Sequence, residues 1–182
     1  MMTSVFDVAN YILQLGKENV VDGEYDLTPM KLQKLVYYCQ GFHLALYDKP
    51  LFPETIEAWK HGPVCPPLYR ALKPCGSALV FEIDAKDSLT EAEKQLVADV
   101  YWKYGQFATW KLRSMTHEEA PWLMVPSNGT ISSESMTDFF NKHFFEVNPQ
   151  DIPPLTGQER VEIGKAFEEL EASGELSISQ LR

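Results

Sequence analysis

The sequence predicts a mainly α-helical protein with a minor, short β element. Apolar residues recur at three- and four-residue steps in several segments, which is the spacing of one face of an α-helix. Hydrophobic residues make up 45% of the 182 residues, enough to fill a core. Proline and glycine interrupt the helical patterns and leave room only for short strands. We therefore expect a compact single-domain helical bundle of about six helices plus a C-terminal helix.

The first two predicted helices each begin at a residue that can cap them. Ser4 can cap the first helix, which can end at Gly16. Thr28 can cap the second, and Pro29 suits a first helical turn because its missing N–H costs nothing there. This second helix is expected to end near Asp48 and to be the most buried. Its apolar positions are Leu32, Leu35, Val36, Cys39, Phe42 and Leu46.

The middle of the chain predicts two short strands around a short helix. Residues 55–59 favour a strand, since the Gly-Pro pair at 62–63 and the Pro-Pro pair at 66–67 prevent a continuous helix there. A short helix is predicted over residues 66–73. Residues 79–83 favour a second short strand.

Three more helices are predicted before residue 145. Thr90 and Glu93 form a capping-box pattern at the start of the fourth helix, and Gly105 fits its end. A fifth helix is predicted over residues 107–115, and Ser132 can start a sixth. Their inner faces are expected to contain Leu96, Val97, Val100, Tyr101, Tyr104, Ala108, Leu112, Met115, Met136, Phe139, Phe140 and Phe144.

The composition changes after Phe145. Proline-rich residues 148–154 resemble a linker, and a capping-box pattern at 156–159 begins another amphipathic helix. Residues 146–182 hold eight acidic and three basic residues. We therefore predict a domain over residues 1–145 and an acidic C-terminal extension over 146–182. The apolar stripe of the extension could dock on a partner or pack on its own domain, and packing is the more common use of such a helix.

Charge, cysteine content and the N-terminal sequence limit the possible functions. The formal net charge of −10 argues against binding to a nucleic-acid backbone and favours a basic protein partner, or no charged partner. Three cysteines, an odd number, favour reduced thiols in the cytoplasm. The N-terminus shows no secretion signal, and no apolar stretch is long enough to span a membrane. We expect a cytoplasmic protein that binds neither nucleic acid nor membrane.

The sequence offers little for catalysis or for a cofactor. Cys39 and His43 are four residues apart on one helix, but a core thiol beside a satisfied histidine explains this pair better than a metal site. Cys65 follows His61 closely, yet the chain lacks an evident triad. Phosphate-binding glycine motifs are absent. We therefore predict no metal, no cofactor and no enzyme activity.

Two segments, 58–64 and 116–122, concentrate tryptophan, histidine and proline, and both are expected to be loops. In one interpretation they close the helical core: Pro63 and Pro121 fix chain reversals, and Glu119 satisfies a buried donor. In the other they line a groove for another protein, because aromatic anchors are typical of binding hot spots. The large side chains concerned are Trp59, His61, His117 and Trp122.

Several separate motifs occur in the order of a known family. LTPMKLQKLVYY spans residues 27–38, QGFHLALY spans 40–47 and IEAWKHGPV spans 56–64, and residues 112–122 carry the last motif. From about residue 5 to 144 the chain resembles the Panacea antitoxin domain, the SocA-like family. The departures are Cys39, the Cys-Pro-Pro at 65–67 and the acidic extension.

The resemblance implies an α-rich domain that acts as a type II antitoxin, binding and neutralising a protein toxin encoded beside it. It also implies that family members pair with unrelated toxins, that one branch delivers its toxin to a protease, and that the family is common in prophages. The alternative is a phage-associated adaptor or structural interaction protein without a toxin. As partner-binding residues we single out Tyr38, Trp59, His61, His117 and Trp122.

Overall fold

The computed structural model describes residues 3–18 and 25–144, and within them it confirms a mainly α-helical fold with a small sheet. None of the helices in these ranges is long and apolar enough to span a membrane. The predicted linker and C-terminal helix lie outside the described residues. The elements are α1 (Val5–Glu18), α2 (Pro29–Tyr47), β1 (Ile56–Trp59), β2 (Gly62–Val64), α3 (Pro66–Leu72), α4 (Glu91–Tyr104), α5 (Thr109–Glu118), α6 (Ala120–Leu123), β3 (Thr130–Ile131) and α7 (Ser133–Phe144).

Helix α2 is the centre of the fold, as its long apolar pattern predicts. Every residue from Lys31 to Leu44 is buried, and helices α1, α4, α5 and α7 all pack against α2. The Thr28 side chain accepts a hydrogen bond from the Lys31 N–H at 3.3 Å, and Pro29 lies in the first turn. Asp48 ends the helix in a left-handed conformation, with φ 52°. The predicted start and end of this helix are therefore confirmed.

The packing of α7 against α2 depends on a glycine inside α2. A Cβ atom at Gly41 would overlap the Phe140 ring. Phe140 is fully buried and packs edge-on against the rings of Tyr37, Tyr38 and Phe42. Glycine costs about 0.5–1 kcal/mol relative to alanine in a helix interior. Here the absence of a side chain at Gly41 allows α2 and α7 to approach closely.

Three strands form an antiparallel sheet in the order β2-β1-β3. The strand predicted over residues 55–59 is present as β1, but the strand predicted over 79–83 is wrong. That segment has no ladder partner, and it is held by single contacts: the Val80 N–H donates to the Leu27 carbonyl at 2.8 Å, and Phe81 stacks on Tyr25. Apolar β-forming residues without a partner strand do not form a sheet.

The predicted helix caps are present, whereas neither Trp/His/Pro segment is the loop that was predicted. Segment 58–64 lies mostly in β1 and β2, and only Lys60 and His61 form the turn between the two strands. The reciprocal capping box of Thr90 and Glu93 starts α4, and the Ser4 hydroxyl accepts from the Asp7 N–H at the start of α1. The second Trp/His/Pro segment is mostly helical, because α5 begins later than predicted and continues through Glu118. Only Glu119 is extended, and the proline that follows fits the first turn of α6.

Candidate partner-binding site

The β1–β2 hairpin requires a glycine at its turn. Gly62 has φ 99°, a conformation that L side chains rarely adopt. A Cβ atom there would also lie 2.8 Å from both the Lys34 Nζ and the Thr116 Oγ1. The turn therefore packs directly on α2 and α5. This close contact leaves His61, at the tip of the hairpin, exposed to solvent.

Three of the five predicted site residues lie together and join the hairpin to α5 and α6. The Trp122 Nε1 donates a hydrogen bond to the Trp59 carbonyl at 2.9 Å, and the His117 Nε2 lies 3.0 Å from the Lys60 carbonyl. The rings of His117 and Trp122 are in contact, with centroids 4.1 Å apart. His117 and Trp122 therefore hold the hairpin in place, which is the structural interpretation of these motifs.

Tyr38 lies elsewhere, within the core. It is 1% exposed, its ring stacks on Tyr104 at 4.1 Å, and its hydroxyl donates to the Glu119 Oε1 at 2.7 Å. Burial first, and then the neighbouring Glu119 carboxylate, hold the pKa of Tyr38 well above its usual range. Glu119 therefore accepts from a buried donor, as expected. Tyr38 lines a separate cavity of about 330 Å³ on the α7 side of α2.

The buried amides of α2 were not predicted from the sequence; they form hydrogen bonds with backbone groups of the segments that follow the helix. The Gln33 Oε1 accepts from the Cys65 N–H at 2.7 Å, and its Nε2 donates to the Cys65 carbonyl at 3.4 Å. In the same way, the Gln40 Oε1 accepts from the backbone N–H groups of Leu51 and Phe52. A buried backbone group without a hydrogen-bond partner is costly, and these amides supply the hydrogen bonds that a neighbouring strand would otherwise provide. Glutamines within a helix of largely apolar pattern were the available signal.

Lys34 was likewise not predicted from the sequence, and it is unusual because it is a lysine buried in the core. It is 1% exposed, and its Nζ donates to the Pro63 carbonyl at 2.9 Å. The ion pairs between described residues do not involve it. Burial, followed by the positive charge of Arg113, lowers the pKa of Lys34 to about 7.

A pocket of about 350 Å³ opens beside Lys34, between α2, the hairpin and α3. The rings of Trp59 and Tyr69 meet edge-on in its wall at 4.8 Å, and the Trp59 Nε1 donates to the Glu57 carboxylate at 2.8 Å. His61 also lines this pocket, and slight desolvation together with nearby positive charges lowers its pKa. Apolar walls with a few convergent polar groups are typical of binding pockets.

Neither Cys39, on α2, nor Cys65, just before α3, is arranged as a nucleophile. Burial raises the pKa of the Cys65 thiol to about 11, and burial likewise raises that of Cys39. The His43 Nδ1 lies 2.7 Å from the Lys49 carbonyl, which makes it a structural histidine rather than a ligand. No cluster of three His, Cys, Asp or Glu side chains suited to a metal ion occurs within residues 3–18 and 25–144.

Comparison with known proteins identifies the motifs around this pocket. Residues 32–123 match the family described as antitoxin SocA-like, Panacea domain. Antitoxin SocA of Caulobacter vibrioides (strain NA1000 / CB15N) is 39% identical over 69 residues, which cover 38% of this chain and 35% of that protein. The chain therefore matches about a third of the length of this curated relative. No solved structure matches the chain significantly.

Proposed function

Since this chain belongs to the SocA-like, Panacea-domain antitoxin family, we propose that it neutralises a protein toxin encoded beside it by binding the toxin directly in the cytoplasm. The toxin contacts the hairpin surface that bears Trp59 and His61. The observation that carries this proposal is the pocket beside the hairpin, most of whose lining residues lie in the part of the chain that matches the family.

A rigid hairpin favours binding because little conformational freedom is lost on association. Trp59 is held through its carbonyl by Trp122 and through its indole N–H by Glu57, while part of its ring stays accessible. His61 is exposed beside it. An aromatic residue that is fixed in place and partly accessible is a typical binding anchor.

The other predicted site residues have a positioning role in this proposal. His117 and Trp122 hold the hairpin, and Tyr38 is too buried to reach a partner without local unfolding. Tyr38 instead fixes Glu119, the extended residue between α5 and α6. Changes at these three residues should therefore lower stability and binding together, whereas a change at His61 should lower binding alone.

The neighbouring genes provide the test. One of them should encode a protein that stops growth when expressed alone, allows growth when expressed with this chain, and elutes with it from a sizing column. Trp59→Ala should lose protection, and Trp110→Ala is the matched control because Trp110 is 70% exposed and lies outside the pocket. If every neighbouring product is harmless alone, the proposal is wrong.

Measuring the amount of toxin separates direct neutralisation from delivery to a protease. In direct neutralisation the toxin persists in the protected cells as a complex. If the toxin disappears, and if protection requires an intact cellular protease, then the chain acts as an adaptor instead.

A further inference from the structure

The pocket between α2, the hairpin and α3 carries a charge opposite to that of the chain. The chain has 26 acidic and 16 basic residues and a formal net charge of −10. No acidic side chain from the described ranges lines the pocket. The nearest carboxylate in the hairpin, Glu57, binds the Trp59 indole instead. The basic lining residues are Lys34, Lys60, His61 and Lys73.

Lys34 is a basic group that the fold holds in a fixed place, unlike a mobile surface lysine. The backbone of Pro63 accepts one hydrogen bond from its ammonium group, which has three N–H donors. No carboxylate in the described part of the chain forms an ion pair with it. A buried cation of this kind is stabilised when an anion binds beside it.

The walls of the pocket add a second requirement on the ligand. Met30, Val64 and Leu72 supply aliphatic surface, and Trp59 and Tyr69 supply an aromatic edge-to-face pair. An anion that is small and fully hydrated would leave this apolar surface uncovered. The lining therefore fits a negative group attached to an apolar or aromatic body.

We propose that the pocket binds a short acidic segment of the toxin in which a carboxylate lies next to an apolar or aromatic side chain. The carboxylate meets the two exposed lysines at the rim of the pocket, Lys60 and Lys73, above the buried Lys34. The apolar side chain contacts Trp59 and Tyr69. This inference rests on the proposed function and defines the chemistry of the contact. It also reverses the expectation from total charge, which favours a basic partner surface.

Charge reversal at the rim tests the assignment without disturbing the core. With the toxin identified, Lys60→Glu and Lys73→Glu should each weaken its binding about tenfold. Lys111→Glu is the matched control, because Lys111 is exposed on α5 and lies outside the pocket. Binding is measured by calorimetry, and melting temperatures confirm that all three variants fold. If the rim variants bind like the control, the pocket assignment is wrong.

Peptides give an independent measurement. Fluorescently labelled peptides of about ten residues that tile the toxin sequence are titrated with the full chain, and anisotropy reports binding. The peptides that bind should contain Asp or Glu beside an apolar residue. Replacing that Asp by Asn, or that Glu by Gln, should abolish binding. Preferential binding of basic peptides, or of none, overturns the inference.

The two proposals fail differently in these experiments. If Lys60→Glu and Lys73→Glu neutralise the toxin as well as the unmodified chain does, direct neutralisation stands and the pocket inference is wrong. If no neighbouring gene encodes a toxin, both proposals are wrong.

Discussion

Lys34 shows how a single buried residue couples function to folding. An ammonium group inside the core must lose water, and among the described residues the Lys34 ammonium donates to one backbone carbonyl, that of Pro63. Its pKa of about 7 means that a large share of the molecules carry this lysine uncharged at neutral pH. The residue is therefore unfavourable for folding in its charged form, which is consistent with a role in binding an anion.

The first prediction concerns the pH dependence caused by Lys34. Between pH 7 and the ordinary lysine pKa of 10.5, the unfolded chain holds this proton and the folded chain does not. Folding stability should therefore rise with pH in this window, by up to about 1.4 kcal/mol per unit for one proton. Urea unfolding from pH 6 to pH 9.5 should show this rise, and Lys34→Met should lack it.

Lys31→Met is the control for Lys34→Met, because Lys31 is equally buried but forms an ion pair with Asp26. That variant should keep the rise with pH while losing stability overall. An unchanged slope in Lys34→Met would show that Lys34 does not titrate in this range.

The second prediction concerns Gly62, where two separate effects can be distinguished. Gly62→Ala meets both a strained backbone and the side chains of Lys34 and Thr116. Gly76→Ala also has a positive φ, but its Cβ would have nothing within 4 Å. Gly62→Ala should therefore lose roughly 1–3 kcal/mol more stability than Gly76→Ala, as measured by denaturant unfolding. Equal losses would mean that the turn can move away from α2.

At the scale of elements, α2 carries two different kinds of packing. On one side its buried amides and Lys34 bind the backbone of the hairpin region. On another side Gly41 allows α7 to approach closely. Helix α2 therefore organises both the candidate site and the core, and a change on one side should be separable from a change on the other.

The third prediction tests the contact between α2 and α7. Gly41→Ala gains helix propensity but places its Cβ against the Phe140 ring, so it should lose about 1–3 kcal/mol of stability. Gly16→Ala is the comparison, since Gly16 is also helical and buried. Its Cβ would meet the end of the buried Leu27 side chain, which can change rotamer, and would lie 3.2 Å from the Tyr25 ring. Gly16→Ala should therefore lose less stability than Gly41→Ala, whose Cβ would meet a rigid ring. Thermal unfolding of both variants measures the two changes in stability. If Gly41→Ala is as stable as the unmodified chain, α2 and α7 do not approach as closely as described.

The sequence was informative about local elements and less so about long-range contacts. The caps at Thr28 and Thr90 depend on residues three positions apart, so the pattern alone predicted them. The strand over 79–83 was predicted wrongly because a strand requires a partner, which a local pattern does not reveal. The Gln33–Cys65 bonds join residues 32 positions apart. The pocket depends on such contacts, so the sequence indicated Trp59 and His61 but not Lys34.

At the scale of the whole molecule, total charge and local charge make opposite predictions. The net charge of −10 attracts a basic partner over long distances, whereas the lysine-lined pocket selects an acidic segment at contact. Half of the net charge lies in residues 146–182, which hold eight acidic and three basic residues. Removing that extension therefore changes the long-range field while leaving the sequence of the pocket intact.

The fourth prediction uses this difference in the chain truncated to residues 1–145. If the contact segment of the toxin is acidic, truncation reduces repulsion, and the association rate at low salt should rise several-fold, by analogy with other electrostatically steered pairs. The gain should disappear at about 1 M salt, where charges are screened beyond about 3 Å. Stopped-flow association measures both conditions, and equal melting temperatures show that the truncated chain is folded. A slower association at low salt would instead indicate a basic toxin surface attracted by the extension, and would contradict the acidic segment.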